Sequence, residues 1–387
     1  MNYVPYGRQT ISEDDISAVV EVLRGSYLTQ GPVVPAFENE VCKKVGARYG
    51  VGVNSATSAL HVACLALGLG PGDWLWTSPI TFVASANCGL YCGALVDFVD
   101  IDDRTGLMSI SALEKRLEEA KKSGRLPKVV IPVHHTGECC EMEELSRLSK
   151  RYGFSVIEDA SHAIGAKYKE EAVGSCRYSD ITVFSFHPVK IITSGEGGMA
   201  VTNSKSLAEK MARLRSHGIE KDQSRFLRPP QGGWAYEQQD LGFNYRLTDI
   251  QGALGLSQLK KLDVFVDRRK RIAERYRELL ARTEFSLLDS IEGCKSSHHL
   301  FVLKVNSEGK DERRQLFNHL RAKGIGVQVH YTPVHLQPYY RAMGFSVGDF
   351  PNAEDYGTRA LSLPIYPELT RNEQDMIVLM LKEWLDD

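Results

Sequence analysis

The sequence predicts an α/β protein: a seven-stranded, mostly parallel sheet with helices on both faces, followed by a smaller C-terminal α/β domain. Three observations predict it. Short runs rich in β-branched and aromatic residues, bounded by turn residues, recur seven times between Tyr49 and Val201. Helical patterns separate most of these runs, as expected where crossover helices join parallel strands. A chain of 387 residues that is 43% hydrophobic can fill more than one core. The boundary is placed inside a long Lys/Arg-rich helix near residue 258, giving units 1–258 and 259–387.

The elements follow in order. Ser12 caps a first helix whose opening turn, Glu13-Asp14-Asp15, carries acids suited to a helix N-terminus; it ends near Gly25. Ser26-Tyr27-Leu28-Thr29-Gln30-Gly31 is a polar, aromatic loop that by itself reads as plain surface, and a second helix covers about 34–45. Strand 49–53 runs into Asn54-Ser55-Ala56-Thr57 and an apolar helix to about 67. Strand 74–77 leads through Thr81-Phe82 into a small-residue helix at 83–89. Further strands are expected at 95–99, 129–133, 155–158, 181–186 and 199–201, with helices at 109–122, 141–151 and 207–216. Residues 218–239 lose periodicity, and a loop that long in a compact domain is functional or mobile. One long helix then reaches about 281. The remainder gives a strand at 299–305, a helix at 311–323, a strand at 327–330 and a last helix at 371–385.

Composition excludes several classes. The net charge of −2 supplies no electrostatic reason to expect nucleic acid or an anionic membrane surface. The N-terminus lacks a signal-peptide pattern, and no apolar run is long enough to span a bilayer. The eight cysteines are scattered without zinc-ligand or redox-motif spacing, so they are read as reduced thiols of a cytoplasmic protein without a metal site. Gly68, Gly70 and Gly72 follow a helix and precede a strand, the wrong order for a dinucleotide fingerprint, which argues against a nicotinamide dehydrogenase.

The chemistry centres on Lys190. It sits on an irregular Pro/Gly-rich segment between two apolar strands, where desolvation lowers an ammonium pKa and frees an amine to attack a carbonyl. A surface lysine in a glycine-rich loop is the plainer reading of this segment alone, so its partners must decide. Asp159 ends an apolar strand and can either cap a helix or keep a heterocyclic nitrogen protonated. His162 can equally be a hydrogen-bonded core histidine. Ser55 to Thr57 open a helix after a strand, which suits a phosphate or a simple cap. Phe82 lies at a strand's carboxyl end, where α/β sheets place ligands. Pyridoxal 5′-phosphate (PLP) combines a phosphate, a ring, a pyridine nitrogen and an aldehyde, and the four signals together describe it.

At this point a resemblance becomes specific. Asn54-Ser-Ala-Thr-Ser-Ala-Leu-His61, Thr81-Phe-Val-Ala-Ser-Ala-Asn87, Glu158-Asp-Ala-Ser-His162, Ser185-Phe-His-Pro-Val-Lys190, Gly195-Glu-Gly-Gly198 and Gly242-Phe-Asn-Tyr-Arg246 resemble the DegT/DnrJ/EryC1/StrS sugar aminotransferases, from Tyr6 to Leu363-Pro-Ile-Tyr-Pro367. The resemblance implies a PLP-dependent transferase of fold type I. It implies Lys190 as the Schiff-base lysine and proton shuttle, Asp159 at the pyridine nitrogen, Phe82 on the ring and His162 near the phenolic oxygen. It assigns Ala56, Thr57 and Ser185 to the phosphate, and Asn244 to the phosphate of the neighbouring subunit in a homodimer. Tyr6, Ser26, Tyr27, Leu28, Thr29, Gln328, Val329, His330 and Tyr331 carry over as sugar-nucleotide contacts, with Ala56, Ser185 and Asn244 contributing. Arg246 either offsets diphosphate charge or serves a helix start. The implied substrates are L-glutamate and a UDP-linked 4-keto-6-deoxy-N-acetylhexosamine of pseudaminic acid biosynthesis. The alternatives are another dTDP- or GDP-linked keto sugar and a PLP-binding regulatory protein without turnover. Lysine rather than histidine at position 190 favours transamination over dehydration.

Overall fold

The computed structural model describes residues 3–306 and 311–386. Seven strands form the main sheet: β1 (Tyr49–Val53), β2 (Trp74–Thr77), β3 (Leu95–Phe98), β4 (Val129–Ile131), β5 (Ser155–Asp159), β6 (Ile181–Ser185) and β7 (Gly198–Thr202). Their spatial order is β1-β7-β6-β5-β4-β2-β3. Strands β6, β5, β4, β2 and β3 pair in parallel, while β7 is antiparallel to both of its neighbours. The sheet is therefore mostly parallel, as the alternation of strand and helix patterns requires. Alternate residues fill opposite faces: Val130, Val156, Phe184 and Val201 pack into one core, and Val129, Ile157, Ile181, Val183 and Ala200 into the other.

The early helices match the sequence closely: α1 (Glu13–Arg24), α2 (Val33–Val45), α3 (Ala56–Ala66) and α4 (Ala84–Tyr91). Ser55 caps α3 by accepting from the Ser58 N–H at 3.2 Å. All eight cysteines are free. Among the described residues no helix is long and apolar enough to cross a membrane.

Three expectations need correction. The single long helix is two, Asp249–Leu259 and Leu262–Leu280. The chain breaks at Lys260-Lys261, where Lys261 turns its ammonium to the buried Asp15 at 2.7 Å. The proposed division near residue 258 falls close to that break. The expected strand at 327–330 is a single bridge, Gln328 to Ser362. The small sheet instead pairs Phe301–Lys304 with Ser286–Leu287 and Ala360–Leu363, all antiparallel, over a third core that includes Leu303, Leu361, Leu363 and Tyr276. Helix Pro351–Arg359 was not foreseen. Its first N–H groups, at Asn352 and Ala353, donate to Asp100 at 3.0 and 2.9 Å, a cap supplied from far along the chain.

Residues 218–239 contain a short two-stranded arm, Ile219–Glu220 against Glu237–Gln238, with Leu227, Trp234 and Tyr236 exposed. The polar loop after α1 is also ordered. Buried Asp249 accepts the N–H groups of Gly31 at 2.5 Å and Val34 at 2.9 Å, so one carboxylate both closes that loop and caps α2. Asp249→Ala is expected to cost about 1–3 kcal/mol, read as a lower denaturant midpoint at an unchanged slope. The same variant should speed amide exchange at Gly31. Wild-type exchange there would show that the carboxylate does not hold the loop.

Candidate active site

The carboxyl ends of β1, β2, β4, β5 and β6 all face one side of the sheet, where a cavity of about 480 Å³ opens. Ala56, Thr57, Phe82, Asp159, His162, Ser185 and Lys190 line it, together with Tyr6, His330 and Tyr331. The sequence-derived candidates thus meet in one place although they are spread over most of the chain. Others do not reach it within one chain. Ser26 and Tyr27 border a separate cavity between α1 and helix Asp249–Leu259, and Leu28 and Thr29 lie on the same exposed loop. Asn244, Arg246, Gln328 and Val329 are outside the lining. Asn244 is exposed and bridges to Ser216, and Arg246 bridges to Val53.

Sheet register builds the anion end. Val53, Gly198 and Ser185 are direct partners across β1, β7 and β6. A Cβ at Gly198 would stand 2.5 Å from the backbone nitrogen of Ala56, so only glycine lets β7 pass this close to the start of α3. Ser58 has its N–H taken by Ser55, which leaves Ala56 and Thr57 to present the helix N-terminus to the cavity. Phosphate is the ligand such a cradle takes.

The opposite end is set by β5 and β6. Asp159 pairs with Val183, and Lys190 follows β6 after the turn at His187-Pro188, its N–H donating to the His187 carbonyl at 2.9 Å. Burial lowers the Lys190 ammonium from its ordinary 10.5 to about 8, and the Asp159 carboxylate only partly opposes this. The residue is half-buried and lines the cavity. Asp159 is itself anchored: Oδ1 accepts the Ser161 N–H at 3.1 Å and Oδ2 accepts the Ser85 hydroxyl at 2.6 Å. Phe82 is 59% exposed, an aromatic face with open space before it and the Tyr331 ring 6.4 Å away.

Histidines floor the cavity. His162 Nε2 lies 3.3 Å from the Tyr331 hydroxyl, and its ring sits 4.4 Å from that of His299. Burial first, and then the charge of Lys190, keep the pKa of His162 well below 6.5. The same causes act on His299, and burial with His135 and Lys190 takes His330 to about 3. Sequence reading missed Ser85 and His299. Ser85 stood in a quoted motif and lies four residues after Thr81, the spacing of neighbours on one helical turn. His299 had no local signal at all.

The fit is to PLP. The α3 start could seat its phosphate, Phe82 could face its ring, Asp159 could partner its nitrogen, and Lys190 could supply an amine for its aldehyde, all four lining one cavity. Site and sheet suit a PLP-dependent enzyme, and likeness to known proteins makes the chain a PLP-dependent aminotransferase. It belongs to the DegT/DnrJ/EryC1/StrS aminotransferase family, whose model matches residues 9–382. It is 38% identical over 377 residues to UDP-4-amino-4,6-dideoxy-N-acetyl-β-L-altrosamine transaminase of Campylobacter jejuni, covering 97% of this chain and 95% of the relative. It is 36% identical over 387 residues to the spore coat polysaccharide biosynthesis protein SpsC of Bacillus subtilis, covering 99% and 97%. Among solved structures, Helicobacter pylori PseC, an aminotransferase involved in the biosynthesis of pseudaminic acid, superposes with a TM-score of 0.91 at 32% identity over 100% of both chains.

The Lys190 environment predicts an amine that is half deprotonated near pH 8. In cofactor-free protein, trinitrophenylation of Lys190 followed by peptide mass spectrometry should reach half its maximal rate near that pH. Asp159→Asn removes the opposing carboxylate and should move the midpoint lower still. A midpoint at the ordinary lysine value would show that the cavity does not desolvate the amine.

Proposed function

We propose that the protein transfers the amino group of L-glutamate to C4 of UDP-2-acetamido-2,6-dideoxy-β-L-arabino-hexos-4-ulose, in the cytoplasm, as a step of pseudaminic acid biosynthesis. The observation that carries this reading is the desolvated Lys190, under the charge of Asp159 and in one cavity with Phe82, in a chain so similar along its length to the altrosamine transaminase. When bound, PLP supplies an electron sink that acidifies the C–H bond next to the transferred amine. Lys190 then takes and returns the proton at that carbon. Asp159 keeps the ring nitrogen protonated, and Phe82 and His162 hold the ring and its phenolic oxygen. Ala56, Thr57 and Ser185 retain the phosphate. Glutamate leaves as 2-oxoglutarate before the keto sugar enters, so the kinetics are ping-pong.

Tyr6, His330 and Tyr331 are the substrate contacts supported by their place in the cavity wall. Ser26 to Thr29, Asn244, Arg246, Gln328 and Val329 are proposed to act across a homodimer, each site drawing on both chains. A different nucleotide-linked keto sugar is the second reading, favoured by the equally extensive likeness to SpsC.

Mass spectrometry of products from glutamate and a panel of UDP-, dTDP- and GDP-linked keto sugars tests the substrate. Amination confined to the UDP-linked 4-ketone is expected; preference for a dTDP or GDP sugar would overturn the assignment. Lys190→Ala should lower turnover by at least about 10³-fold and abolish borohydride attachment of a pyridoxyl group at residue 190. Near-normal activity of that variant would end the mechanism. The shared site predicts complementation: Lys190→Ala and Asn244→Ala, each impaired alone, should regain activity when their subunits are mixed and exchanged. Absence of any gain, with exchange verified by native mass spectrometry, would place Asn244 outside a shared site.

A further inference from the structure

We infer that Ser85, oriented by Thr81, is a positioning residue that fixes the Asp159 carboxylate toward the cofactor's ring nitrogen. The inference rests on the role proposed above for Asp159 and extends it to two hydroxyls outside that role. The Ser85 Oγ lies 2.6 Å from Asp159 Oδ2 and 2.7 Å from the Thr81 Oγ1. The Ser85 hydroxyl donates to Asp159 Oδ2, and a serine has a single hydroxyl proton to give. The contact with Thr81 must then run the other way, from the Thr81 hydroxyl to the Ser85 oxygen. The result is a relay with one direction, Thr81 to Ser85 to Asp159.

Burial makes the relay consequential. Ser85 is fully buried and Thr81 is 2% exposed, so both donors are shielded from bulk water and their loss leaves the carboxylate short of a partner. The other carboxylate oxygen is held by the Ser161 N–H, so the two oxygens are each pinned by one donor and retain lone pairs for one more. The relay also couples two parts of the site. Ser85 donates its own N–H to the Phe82 carbonyl at 3.2 Å, so one turn at the start of α4 sets both the aromatic face and the carboxylate. A single segment thereby determines where the ring lies and where its nitrogen finds its partner.

The test measures PLP affinity by fluorescence quenching and steady-state kinetics on Ser85→Ala, Ser85→Thr, Thr81→Val and Asp159→Asn. Loss of one donor to a buried carboxylate is expected to weaken PLP binding about 10- to 100-fold in Ser85→Ala. It should lower kcat with little change in KM for the keto sugar, since the lost contact serves the ring nitrogen. Ser85→Thr keeps the hydroxyl and should restore most of the affinity. Thr81→Val keeps the side-chain volume and removes only the first donor, so a smaller loss of the same kind is expected; it decides the matter if Ser85→Ala does not fold. Wild-type PLP affinity in Ser85→Ala and Thr81→Val alongside a severe loss in Asp159→Asn would overturn the relay. Wild-type affinity and activity in Asp159→Asn would instead overturn the role of Asp159.

Discussion

A lysine ammonium drawn out of water with one carboxylate facing it is the constraint on which this structure depends. Moving Lys190 from 10.5 to about 8 corresponds to a penalty of roughly 3 kcal/mol on its charged form. A flexible loop would relieve that penalty by turning the side chain outward. Here the segment is held between β6 and β7, both buried along their length, and its N–H is tied back to His187. Neighbouring imidazoles add no rival positive charge. His135 and His330 are each lowered to about 3, and burial and the Lys190 charge hold His162 and His299 well below 6.5, so these four stay neutral near pH 7. Lys190 therefore offers an amine that titrates near neutrality close to four imidazoles that do not.

The same strand shows how a carboxylate is assigned to structure or to chemistry. Glu158 and Asp159 are consecutive in β5, so they point to opposite faces. Glu158 is enclosed: it accepts from Thr182 Oγ1 at 3.0 Å, from Ser179 and from His134 Nε2 at 2.7 Å. The Cys140 N–H donates to His134 Nδ1, which leaves the ring proton on Nε2 for Glu158. Burial alone would raise the Glu158 pKa, but these donors outweigh it and hold the carboxyl below its usual range. Asp159 opens instead into the cavity, one oxygen served by a backbone N–H and the other by Ser85. The difference lies in what surrounds each group, since their neighbours in sequence are shared.

Much of this was legible in the amino-acid order because it is local. The seven strands, the capped start of α3 and the placement of Lys190 and Asp159 after their strands all follow from short patterns. What escaped depends on distant partners. Helix Pro351–Arg359 takes its cap from Asp100, and strand Ala360–Leu363 is defined by its pairing with Phe301–Lys304. Residues 327–330 have the composition of a strand, but only Gln328 finds a ladder partner. Ser85 looked like a small helix residue until the fold brought Asp159 against it. His299 enters the cavity floor because Arg269, buried in helix Leu262–Leu280, donates to the carbonyls of His299 and Ile365 at 3.1 and 2.9 Å. No periodicity announces a contact of that kind.

Charge balance bears on the residues that lie outside the single-chain cavity. Among the side chains lining it, Lys190 is the one lysine or arginine, and it is partly neutral by design of its surroundings. The cofactor phosphate can be met by the α3 start, whose backbone N–H groups bind anions without a formal charge. The diphosphate and carboxylate of the proposed substrates would need more than this, because desolvating an anion without a counter-charge costs several kcal/mol. In the proposed shared site the further donors would come from surfaces at the exterior of one chain. The arm between Ile219 and Gln238, which exposes Leu227, Trp234 and Tyr236, and the Asn244–Arg246 segment lie outside the cavity and would be such surfaces. Incomplete charge compensation within one cavity is thus the physical argument for a site built by two copies of the chain.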